Sequence, residues 1–72
     1  MLQYYKITHN DGTYIYWSYD GNRWKCLGKD NCWRKAKGPW QQRELGEVIV
    51  QCRIHGAVMI KVSEEDIFLE LI

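Results

Sequence analysis

Among the side chains able to do chemistry in this sequence, Cys26, Cys32, Cys52 and His55 together form a legitimate zinc complement. Cys52 and His55 have two residues between them, as in a zinc knuckle, whereas Cys26 and Cys32 have five, wider than the usual two to four. Cys52 also falls in a run that reads as a strand, whose alternation sends its side chain to the face opposite His55. Buried cysteines acting as small hydrophobes account for the same residues, so no metal and no cofactor is expected, with a small zinc-stabilised module as an alternative. Catalysis has less support. The sequence contains no glycine-rich phosphate loop, no HExxH and no nucleophile elbow. His9 and His55 both fall at turns, and a Cys52–His55 nucleophile would have little cover from water in so short a chain. An enzyme is not expected.

A second chemistry, stacking on flat groups and neutralising anions, is written into the first third of the chain. Three aromatic-rich runs between Tyr4 and Lys25 are separated by Asn10-Asp11-Gly12 and Asp20-Gly21-Asn22, which reads as a three-stranded antiparallel meander. A two-residue Asp11-Gly12 turn would mix core and charge on both faces. A three-residue loop with Gly12 in the left-handed conformation pairs Ile7 with Ile15 and Tyr5 with Trp17, and this sorts the faces. One face carries Tyr5, Ile7, Ile15, Trp17, Tyr19, Trp24 and Cys26, the expected core. The other carries Tyr4, Tyr14 and Tyr16 among Lys6, Arg23 and Lys25, a composition suited to base stacking and phosphate contact. Tyrosine is also a good strand residue, and the C-terminal segment is available to cover this face instead.

Composition narrows the function. The 72 residues make one domain that buries only about 60% of the surface its unfolded form exposes, which leaves no room for a deep cleft. At 46% hydrophobic residues, with four Trp and five Tyr, the chain is too apolar for disorder. No run approaches a membrane span, the start lacks the basic and apolar regions of a signal peptide, and an odd number of cysteines fits reduced thiols, so a cytoplasmic protein is expected. The net charge of +1 hides a segregation. Residues 1–22 sum to −1, residues 23–43 to +6 and residues 44–72 to −4. The basic block, which includes Arg34, Lys35 and Lys37, is interleaved with Trp24, Trp33 and Trp40, and such clustering attracts polyanions.

The elements that position these residues follow from local signals. Residues 1–28 form the meander. Residues 29–46 show no alternation and hold the only proline, so they read as an irregular basic loop. In it Asp30 or Asn31 caps one helical turn, and Pro39 can open a second. Residues 47–62 read as a β-hairpin, with Val48–Ile54 as one strand and His55-Gly56 at the turn. Residues 63–72 carry the clearest helix signal: Ser63 as cap, Glu64, Glu65 and Asp66 in the first turn, and Val62 with Ile67 as a staple. A helix this short must dock, on the sheet or on a second copy, which makes a homodimer an expectation. The fold class is a small α+β domain: meander, basic loop, hairpin and C-terminal helix.

These features point to a non-enzymatic binding module for an anionic partner, nucleic acid or an acidic protein surface. Tyr4, Lys6, Tyr14, Tyr16, Arg23 and Lys25 on the sheet and Arg34, Lys35 and Lys37 from the loop are its expected contacts. The alternative is a protein–protein inhibitor or adaptor that occludes a partner, a kind common among phage and mobile-element accessory proteins, in which Trp and Tyr are hot spots.

Overall fold

Three tight loops fix the sheet. In the computed structural model, which describes residues 2–72, β1 (Gln3–Thr8), β2 (Tyr14–Tyr19), β3 (Trp24–Leu27) and β4 (Trp33–Lys35) follow one another as antiparallel hairpins. A fifth strand, β5 (Val58–Val62), pairs antiparallel with the other side of β1, giving the order β4-β3-β2-β1-β5. With two helices the chain is a small α+β fold. The first loop has the expected form: Gly12 takes a φ of +89°, the His9 N–H donates to the Thr13 carbonyl at 2.7 Å, and Ile7 faces Ile15. In the second, Gly21 takes +94° while the Asp20 carboxylate accepts from the backbone N–H groups of Asn22 and Arg23.

The third loop corrects an expectation. Asp30 and Asn31 cap no helical turn; Lys29-Asp30-Asn31 is a hairpin loop of the same three-residue design as Asn10-Asp11-Gly12. The Gly28 N–H donates to the Cys32 carbonyl at 2.9 Å, and Asn31 occupies the left-handed region at φ +63°. Asparagine tolerates that region better than other side chains, and here it stands where Gly12 stands in the first loop. Residues 33–35, expected as irregular, therefore continue the sheet. Of the irregular segment there remains a single 3-10 turn, Gly38–Gln42, with Pro39 at its start.

A larger correction concerns residues 45–54. The expected strand Val48–Ile54 is a helix, α1 (Leu45–Ile54), lying on the Tyr5/Ile7/Trp24 face. A continuous apolar run suits a buried strand and a buried helix equally. What decides is the spacing of Leu45, Val48 and Cys52, one stripe at helical period, of which Val48 and Cys52 are buried in the core. His55-Gly56 is the cap of this helix, not a hairpin turn. The Ala57 N–H donates to the Cys52 carbonyl at 2.8 Å and the Gly56 N–H to that of Arg53 at 3.3 Å. With Gly56 at φ +69°, this is the Schellman arrangement.

The second helix, α2 (Glu64–Leu71), begins at the expected capping box, with Ser63 and Asp66 each accepting the other's backbone N–H. It docks on the opposite face of its own sheet through Ile67, which is buried. The sheet is thus sandwiched between α1 and α2.

The helical assignment of residues 45–54 predicts opposite responses to two alanines. Val50, half exposed on α1, gains helix propensity on Val50→Ala, about 0.5 kcal/mol of stability, whereas in a strand the same change destabilises. Gly56→Ala forces a Cβ into left-handed backbone and costs about 1–2 kcal/mol. Chemical denaturation midpoints of the two variants check both signs.

Candidate anion-binding interface

Strand register decides which cations share a surface. On the sheet face covered by α2, Lys25 of β3 stands directly opposite Lys35 of β4. The Ala36 N–H donates to the Trp24 carbonyl at 3.1 Å, so the pairing continues one step past β4 and brings Lys37, whose backbone is extended, opposite Arg23 on the same face. Two successive rungs therefore set cation against cation. Like charges directly opposite on a sheet are destabilising. Asp20 makes no ion pair with them: one carboxylate oxygen accepts from the backbone N–H groups of Arg23 and Asn22, and these, with the nearby charge of Lys25, hold it below the usual carboxylate range. Among the described residues none of the four cations makes an ion pair. The acidic first turn of α2 lies on this side of the sheet, and Glu64 reaches the apolar groove beside Leu27 and Trp33, yet it neutralises none of them.

Trp33 adds a stacking surface. It pairs with Leu27 across the β3–β4 ladder, lies on the same face as Lys25 and Lys35, packs against Tyr4 at 5.7 Å between ring centroids, and is 38% exposed. Once residues 33–35 are seen to alternate, its side is fixed with Lys35, and Arg34 goes to the other side. Arg34 is thus separated from the group expected to act together; it pairs with Asp30, whose carboxyl its guanidinium holds below the usual range.

The tyrosine face itself is only partly open. Tyr16, expected as a stacking platform, is buried beneath α2; burial, with Glu70 beside it, pushes its phenol up to about 12. Tyr14 is exposed at one edge but donates its hydroxyl to Glu70, and Lys6 lies over the Tyr14 ring with Nζ 4.1 Å from the centroid. Tyr4 is half-buried against Trp33. The six sheet residues expected as one surface therefore divide. Lys6, Tyr14 and Tyr16 form a network with Glu70, while Arg23 and Lys25 join Lys35, Lys37 and Trp33 at the opposite edge.

The cysteines do not converge. Cys52 is buried on α1, Cys26 is partly buried on β3 and Cys32 is exposed in the third loop. Among the described residues no three His, Cys, Asp or Glu side chains form a metal-binding group. No described helix is long and apolar enough to cross a membrane. No protein-family model, curated protein or solved structure matches this chain.

The Tyr16–Glu70–Tyr14 network has a signed pH dependence. The fold favours neutral tyrosine here, with a Tyr16 pKa near 12 against ~10 unfolded, so its contribution is complete below pH ~10 and is lost as pH rises from there toward 12. Glu70 is held below its ordinary value by the tyrosine hydroxyls, so its contribution is present above the unfolded carboxyl pKa and lost as pH falls through the folded one. Denaturant midpoints measured across pH should show a shallower alkaline limb for Tyr16→Phe and a shallower acid limb for Glu70→Gln. Limbs identical to wild type in both variants would remove the network from the account.

Proposed function

We propose that the protein is a non-enzymatic binding module for an anionic macromolecule, single-stranded nucleic acid in the first place. Phosphates meet the rungs Lys25/Lys35 and Arg23/Lys37, and an unpaired base lies against Trp33. The observation that carries this reading is the pair of like-charged rungs. Sequences that fold well avoid cation opposite cation on a sheet, and local rules are broken chiefly where function requires it. The Lys25/Lys35 rung, beside an indole, also matches the way single strands are held without sequence preference, by cations along the backbone and aromatics under the bases. Lysine and arginine on a short edge strand also guard against strand addition, but guarding needs one charge, not two facing rungs. The module acts in the cytoplasm with its cysteines reduced.

A protein-occluding adaptor is the second reading, favoured by the exposed apolar residues Val50 and Ile54 on α1 and Phe68 and Leu69 on α2. Of the α2 residues expected to join two copies, Ile67 is buried on its own sheet, while Phe68, Leu71 and Ile72 stay exposed.

Lys35→Glu separates function from stability. The substitution sets a carboxylate against Lys25, and stability should rise by about 0.2–1 kcal/mol. Affinity for a labelled single-stranded oligonucleotide should fall at every salt concentration. Four phosphate contacts give wild type a log–log salt slope of about −3, and the variant loses at least one unit of it. Absence of binding by wild type at low salt would remove the nucleic-acid reading in favour of an acidic protein surface or the adaptor.

A further inference from the structure

The two edges of the sheet are built differently. β4 is three residues, Trp33-Arg34-Lys35, two of them cationic; β5 is five, Val58-Met59-Ile60-Lys61-Val62, four of them apolar. Short, charged edges are the ordinary protection against strand addition, and a longer apolar edge is a template for it. β5 is hydrogen-bonded to β1 on one side only, and Val58 and Ile60 are 60% and 49% exposed.

We propose that β5 pairs antiparallel with β5 of a second copy about a two-fold axis at Ile60, joining two five-stranded sheets into one. The proposal does not depend on anion binding.

The register follows from parity and charge. Outward-pointing N–H and C=O groups recur at every second residue of an edge strand, so two copies can bond only with the axis at a residue, not between residues. Within β5 the central choices are Met59, Ile60 and Lys61. An axis at Lys61 sets lysine against lysine, which is unfavourable. An axis at Met59 leaves Val62 without a partner and brings Ala57 against Lys61. The axis at Ile60 pairs all five residues: Ile60 with Ile60, Val58 with Val62 and Met59 with Lys61 of the second copy. Apolar side chains then meet on the α2 side, and each lysine lies against a thioether on the other. That self-complementarity selects a second copy as the occupant. A single strand pair buries less than the ~1,200 Å² of a stable interface, so the dimer is weak and concentration-dependent. The two Lys61 side chains lie on one face near the axis and repel, so added salt favours the dimer. Salt has the opposite effect on polyanion binding.

Sedimentation of the full chain from micromolar to near-millimolar concentration, at low and high salt, should show a monomer–dimer equilibrium that shifts to dimer with salt. The register is read by cross-linking in a Cys32→Ser background. Residues directly opposite across a strand pair lie ~4.5–5.5 Å apart at Cα, within disulfide reach. Ile60→Cys should form a disulfide-linked dimer with oxidised glutathione, while Val58→Cys, displaced four residues from its own copy, should not. If Ile60→Cys does not fold, an equal mixture of the Val58→Cys and Val62→Cys chains reports the same register through mixed dimers. A monomer throughout overturns the proposal. So does a dimer in which Val58→Cys cross-links to itself as readily as Ile60→Cys, or one that salt dissociates.

Discussion

The burial of Trp24 is the interaction on which the rest of the structure depends. Its side chain is wholly buried, stacked on Tyr19 at 4.4 Å and in tilted or edge contact with Tyr5 at 5.8 Å and Trp17 at 6.4 Å. Its indole N–H donates to the Arg43 carbonyl at 2.7 Å, and its own carbonyl accepts from Ala36. One residue of β3 therefore joins β1, β2, the end of β4 and the segment that leads into α1. Truncating a core aromatic costs about 3–5 kcal/mol, which in so small a domain is a large share of the total. Trp40 completes the arrangement from the 3-10 turn, stacking on Trp17 at 5.7 Å beneath the Arg43 guanidinium.

With that core on one face, the other face must be closed by something, and α2 does so through Ile67 and the Glu70 contacts. The closure is uneven. It seals Tyr16 and Ser18 but leaves the β3–β4 hairpin carrying Lys25, Lys35 and an exposed Trp33. The third loop and the Trp24–Ala36 bond set the register of this hairpin, and with it the pairing of Lys25 with Lys35. Like charges set opposite one another on a sheet are a cost to the free protein, and the anion we propose there would offset that cost.

Much of the sheet was legible in the residues. Gly12 and Gly21 supply the left-handed conformations that only two registers of the meander need, and the sorting of Ile7, Ile15, Tyr5 and Trp17 onto one side chose between them. The box at Ser63 and Asp66 is local chemistry and was equally plain. The third hairpin was hidden because Asn31, not a glycine, occupies the left-handed position, and because Trp33-Arg34-Lys35 is too short to display alternation. α1 was hidden because Val48, Ile49 and Val50 are β-branched and the run is apolar all round. The stripe Leu45, Val48, Cys52 and the Schellman glycine at Gly56 outweigh that propensity once the helix has Tyr5 and Ile7 to pack on. The candidate site is hidden for the same reason: only β4 gives Lys35 a register against Lys25, and neither Asn31 nor three residues of strand announce it in the sequence.

The central claim is that anions bind the paired rungs of the β3–β4 hairpin and not the tyrosine network under α2. It is tested most directly by following backbone amide shifts of labelled protein while a single-stranded oligonucleotide is titrated at low salt. The predicted result is a contiguous set of shifts from Arg23 to Lys25 and Trp33 to Lys37, with the Trp33 indole N–H moving alongside and the amides of Tyr14, Tyr16 and Glu70 unmoved. Shifts centred on Tyr14, Tyr16 and α2, with the hairpin silent, would contradict it.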